Sequence, residues 1–174
     1  MQVATRSRPS SKTSREGRSR RSTDVLALLK NDHREVNEMF DKVEDLGERA
    51  GAQRAKLGEQ ICKALEIHSK FEQSVLYPQV RERAEDHEER EQIFEAFEEH
   101  GVVDRLVTEL KGMDAKDERY EAKLMVLIEA VRHHVKEEER ELFPTVKELL
   151  EKEELEEMGE RFIEEKRRAG MPVR

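Results

Sequence analysis

Two stretches of this sequence carry the same pattern of metal-ligand side chains. His68-Ser-Lys-Phe-Glu72-Gln-Ser-Val-Leu76-Tyr77-Pro78 and His134-Val-Lys-Glu-Glu138-Glu-Arg-Glu-Leu142-Phe143-Pro144 both read H-x-x-x-E-x-x-x-L-[YF]-P, 66 residues apart. A single His with Glu four residues on would carry little weight, because 33 of the 174 residues are Glu. The duplication carries more. A further His precedes each copy, His33 by 35 residues and His100 by 34. Aligning the copies selects His134 and Glu138 over their neighbours His133 and Glu137. Imidazole together with carboxylate suits iron, manganese or zinc.

These pairs need helices to position them, since residues i and i+4 lie one turn apart on one face. The composition agrees: 43% of residues are charged, Trp is absent, and Gly and Pro are few. Straight-chain side chains lose little rotamer freedom in a helix, and no period-two alternation suggests a strand. Apolar periodicity places helices at about 24–49, 52–83, 86–111 and 117–150, with a short fifth at about 153–168. Gly47 and Gly51 bracket the first turn and Gly112 opens another. Four long helices with short connections predict an all-α, antiparallel up-and-down four-helix bundle, with the fifth helix across or beside it. Residues 23–174 form this domain; residues 1–22 are Ser- and Arg-rich with almost no apolar content and are expected to be a disordered tail.

His33 falls between Leu29 and Val36, and His100 between Phe97 and Val103, so all four helices aim a His at the core. Four imidazoles and two carboxylates buried without partners would cost several kcal/mol. Two metal ions would supply the partners, with Glu72 and Glu138 each able to bridge them. His33, His68, Glu72, His100, His134 and Glu138 are therefore the expected ligands. His87, in an acidic run, and His133, off the ligand face, are expected to be solvated.

Charge is divided unevenly: residues 1–22 carry a net +6 and residues 23–174 a net −14. The acidic body argues against a nucleic-acid groove in the folded domain, while the basic tail is suited to an acidic partner. No apolar run approaches the roughly 18 residues of a membrane span. The N-terminus lacks the apolar stretch of a signal peptide and the apolar face of a mitochondrial presequence. The single Cys62 rules out an internal disulfide framework and fits a reducing cytoplasm.

The set H…HxxxE…H…HxxxE with two L-[YF]-P tails resembles the hemerythrin family, in particular its HHE cation-binding domains, over residues 24–150. The resemblance implies two non-haem irons joined by an oxo or hydroxo bridge, held by His33, His68, Glu72, His100, His134 and Glu138. Its implied small-molecule partners are O2, H2O2 or NO, for sensing or detoxification. Oxygen-carrying members have five His and an Asp in the last bridging motif. Here there are four, with Glu138 in place of that Asp and Asp104 where the fifth His would stand. A more symmetric centre favours redox turnover of the catalase or peroxidase kind over carriage. A helical interaction module without metal is the further alternative.

Five other residues draw attention. Asp104, one turn from His100, could be a ligand, an acceptor for a His or a surface group. Tyr77 faces Phe143 in the duplicate, which argues for packing ahead of a hydrogen bond to a bound species. Pro78 and Pro144 should kink or end their helices. Cys62 reads as a small buried residue.

Overall fold

The computed structural model describes residues 23–47 and 49–173; the basic tail at 1–22 lies outside them. Among the described residues there are helices and no strands. Helix α1 is Val25–Glu44, opened by Asp24, whose carboxylate accepts from the amides of Leu26 (2.8 Å) and Ala27 (3.3 Å). It stops short of the expected residue 49. The chain reverses between Glu44 and Gly51, and the buried Arg54 donates to the Gly47 carbonyl (3.4 Å) and pairs with Glu121 (3.1 Å).

Helix α2 spans 51–83 in three parts: α-helical Gly51–Phe71, one π-helical turn Glu72–Leu76, and α-helical Tyr77–Arg83. Helix α3 is His87–Gly112, opened by a reciprocal cap between Asp86 and Glu89. Helix α4 spans 120–149 with the same three-part design: Tyr120–Glu137, the π turn Glu138–Leu142, and Phe143–Leu149. Helix α5 is Lys152–Arg168. No helix is long and apolar enough to cross a membrane among the described residues.

Of the two expected effects, a kink or an end, the prolines do not produce the second. Neither ends its helix. Proline lacks an N–H, and its ring clashes with the carbonyl four residues back in a regular helix. The chain widens instead: the Tyr77 amide donates to the Glu72 carbonyl and the Phe143 amide to the Glu138 carbonyl, five residues back in each case. Each π turn begins at the Glu of an H-x-x-x-E pair.

Successive helices α1 to α4 pack against one another and α4 returns to α1, closing the bundle. Its core has two apolar clusters. One contains Leu26, Leu29, Phe71, Leu76, Val80, Ile93, Phe143 and Val146; the other contains Val36, Phe40, Ile61, Leu65, Val107, Leu124 and Ile128. Helix α5 covers the first cluster with Leu155, Met158 and Phe162. It comes very close to the start of α1: a Cβ on Gly159 would stand 1.6 Å from the Thr23 carbonyl oxygen. Gly159→Val is thus expected to cost about 1–3 kcal/mol by overpacking, read as a lower Tm of the metal-free protein. An unchanged Tm would mean that α5 does not seat there.

Candidate metal centre

Between the two apolar clusters lies a layer of buried polar side chains. It contains His33 from α1, His68 and Glu72 from α2, His100 from α3, and His134 and Glu138 from α4, each at most 7% exposed. All six expected ligand residues are thus brought together. Two groups could each hold a metal ion: His33, His68, Glu72 and Glu138, and Glu72, His100 and His134. Glu72 belongs to both.

The inward atoms are close. His33 Nε2 lies 3.1 Å from His68 Nε2 and 3.4 Å from Glu138 Oε2. Glu72 Oε2 is 3.1 Å from His68 Nε2 and 3.3 Å from His100 Nε2. His134 Nε2 is 4.0 Å from Glu138 Oε2. Both Glu72 carboxylate oxygens, Glu138 Oε2 and His134 Nε2 are buried without a hydrogen-bond partner. Orphaned acceptors at the centre of an apolar bundle are costly, and imidazole nitrogen with carboxylate oxygen is the donor set of first-row transition metals. The residues present fit a metal pair.

Burial and the neighbouring charges shift the titration of the layer in opposite directions. Burial raises the Glu138 carboxyl and the neighbouring Glu72 carboxylate raises it further, well above the ordinary value. Burial also opposes ionisation of Glu72, but His68 and His100 outweigh it and hold Glu72 well below that value. Burial lowers His33 and His100, which favours neutral imidazoles. At His68 burial is outweighed by Glu72 and Asp32, and the pKa rises to about 10.

A second ring of groups orients the imidazoles through their outer nitrogens. The Nδ1 of His33 is 2.8 Å from Glu139, and that of His134 is 2.8 Å from Glu99. His100 Nδ1 is 2.8 Å from Ser69 Oγ, which donates to Asp104 at 3.0 Å. Because the Ser69 proton goes to Asp104, Ser69 accepts from His100. Asp104 also accepts from Gln73 (2.9 Å). It therefore acts on His100 through Ser69 and lies outside both ligand groups. An outer acceptor turns Nε2 inward as the free donor atom.

Tyr77 departs from its expected packing role. Its hydroxyl lies 2.8 Å from Glu138 Oε1 and 2.9 Å from His100 Nε2. In a regular helix a residue five positions after Glu72 points about 140° away from it; with the π turn between them, both side chains reach the polar layer. Its duplicate Phe143 stacks on His33 at 5.9 Å. The signal that could have located Tyr77 was the following Pro78, read as enforcing a wider turn.

The remaining singled-out residues lie off the ligand layer. The side chains of His87 and His133 are 92% and 67% exposed. Cys62 is buried, and burial pushes its thiol up to about 11. A cavity of about 470 Å³ runs from the four His to exposed Glu38, Lys42, Gln60 and Lys63, between α1 and α2. Its walls include Val36, Met39, Leu57, Ala64 and Val131.

The fold is similar to the crystal structure of a hemerythrin HHE cation binding domain-containing protein from Mycobacterium kansasii, with a TM-score of 0.69 and 23% identity, covering 84% of this chain and 88% of that one. A DNA nickase of Nostoc sp. (strain PCC 7120 / SAG 25.82 / UTEX 2576) is 24% identical over 147 residues; these are 84% of this chain but 40% of the nickase. The chain thus spans less than half the length of that relative. The model of the hemerythrin HHE cation binding domain matches residues 24–146, and the chain belongs to that family.

Proposed function

We propose that this protein is a non-haem di-iron protein that binds or turns over a small oxygen species: O2, H2O2 or NO. The observation that carries the reading is the pair of ligand groups sharing Glu72, with four inward atoms lacking partners. His33 and His68 would hold one ion, His100 and His134 the other, with Glu72 and Glu138 between them. Iron is favoured by the family; manganese and zinc accept the same donors. Bound iron would supply redox equivalents and Lewis acidity toward the oxygen species.

A second reading, turnover of peroxide in the manner of a catalase or peroxidase, is favoured by Tyr77. Its hydroxyl lies between Glu138 Oε1 and His100 Nε2 and can donate its one proton to either. Such a placed donor serves proton transfer, whereas simple carriage does not require one. The duplicate half has Phe143 there, so the proton is available on one side only. The cavity between α1 and α2 provides the route of entry, and its apolar walls limit the water that accompanies a ligand.

The acidity of residues 23–174 argues against nucleic acid as a partner of the folded region. The nicking of DNA named for the Nostoc relative belongs to a protein of which 40% is matched here. An acidic partner for the basic tail and a cytoplasmic location complete the proposal.

Three measurements test it. Metal analysis of purified protein should find about two irons per chain, and His68→Ala with Glu72→Ala should abolish loading; retained iron would sink the ligand assignment. Tyr77→Phe should keep its iron yet lose about 100-fold in oxygen release from peroxide, and unchanged release would remove the case for turnover. Ala64→Trp, which narrows the cavity, should slow reaction with peroxide at unaltered iron content. Wild-type rates there would place entry elsewhere.

A further inference from the structure

Lys166 is a buried lysine on α5, 5% exposed, beyond the matched residues 24–146. Its ammonium pairs with Asp32, the residue before His33, and lies 5.6 Å from the centre of the Phe162 ring. The Asp32 carboxylate is turned toward the metal layer as well: Oδ2 lies 3.9 Å from His68 Nδ1.

The internal duplication gives this contact its meaning. In the second half, the residue before His100 is Glu99, and it accepts from His134 Nδ1 at 2.8 Å. In the first half, the residue before His33 is Asp32, and it faces His68 Nδ1. The two contacts are equivalents under the repeat. Asp is shorter than Glu by one methylene, and at 3.9 Å the bond is not closed. His68 Nδ1 is accordingly the one outer nitrogen of the four imidazoles that lacks a hydrogen-bond partner. Asp32 stands where a partner must stand, and what holds it is Lys166. Phe162, one turn before Lys166, packs against the rings of His68 (6.4 Å) and Phe71 (4.6 Å).

We infer that Lys166 is a positioning residue of the metal centre, acting through Asp32 on His68, so that helix α5 belongs to the site as well as to the core. The inference rests on the di-iron reading above. Outer partners of ligating imidazoles orient the ring and change metal affinity by about 10–100-fold when removed. The effect falls on one side: His68 shares its ligand group with His33, while His100 and His134 form the other.

The test is stepwise release of iron to a chelator from the loaded full chain. Wild-type protein should release both irons slowly. In Lys166→Met one iron of the pair should leave about 10–100-fold faster while the other keeps its wild-type rate, and Lys166→Arg should restore slow release. Asp32→Asn should give the same one-sided loss, with no further loss when combined with Lys166→Met. Asp32→Asn keeps the test available should Lys166→Met fail to fold. Equal release of both irons, or release unchanged in both variants, overturns the inference while leaving the di-iron reading intact. Wild-type protein that holds no iron overturns both.

Discussion

Two carboxylates and four imidazoles share one buried layer of an apolar bundle, and the rest of the structure is arranged around that constraint. Burial opposes ionisation of the carboxylates, and like charges at this range oppose one another. Glu72 is held toward its ionised form beside His68 and His100, while Glu138 is pushed toward its neutral form. A metal pair would supply partners for the inward atoms that lack them. The apolar clusters on either side make the layer selective, since groups with no partner there are expensive.

Satisfying the inward atoms requires control of the outward ones. Glu139, Glu99 and Ser69 fix three imidazoles by their Nδ1 nitrogens, each at 2.8 Å. Glu99 comes from the position before a ligand and Glu139 from the position after one. The same two positions in the other half are Asp32 and Gln73. Gln73 joins Ser69 and Asp104 in a chain of hydrogen bonds, and Asp32 is shared with Lys166. Duplication therefore preserves the ligands while the supporting groups differ, which makes the two halves chemically unequal. Tyr77 against Phe143 is the sharpest such inequality, since only one half places a hydroxyl at the centre.

The π turns connect the ligands to their neighbours. Each starts at the Glu of an H-x-x-x-E pair and relieves a proline that would otherwise clash with the preceding turn. The relief changes which side chains face inward. After the turn, the Tyr77 hydroxyl meets Glu138 and His100, where regular helical geometry would have turned it aside. A backbone irregularity thus brings a hydroxyl into the polar layer.

The six inward residues were legible in the sequence because helical spacing is local: four residues make one turn, and the repeat singled out the pairs that share a face. Helix number and the bundle were legible for the same reason, through apolar periodicity and the glycines at the turns. The supporting partners were not. Asp32 and Lys166 are 134 residues apart, and Glu99 meets His134 across 35; no local spacing encodes either contact, which exists only when whole helices are seated. Asp104 was placed on the correct helix face, but its action through Ser69 depends on the register of α2 against α3. Tyr77 reads as a packing residue because its duplicate is Phe143, and its hydroxyl contacts with Glu138 and His100 exist only once the π turn and the seating of three helices bring them together. Local chemistry thus determined which groups meet at the centre, and tertiary packing decided what holds them there, because orientation depends on contacts that sequence separation conceals.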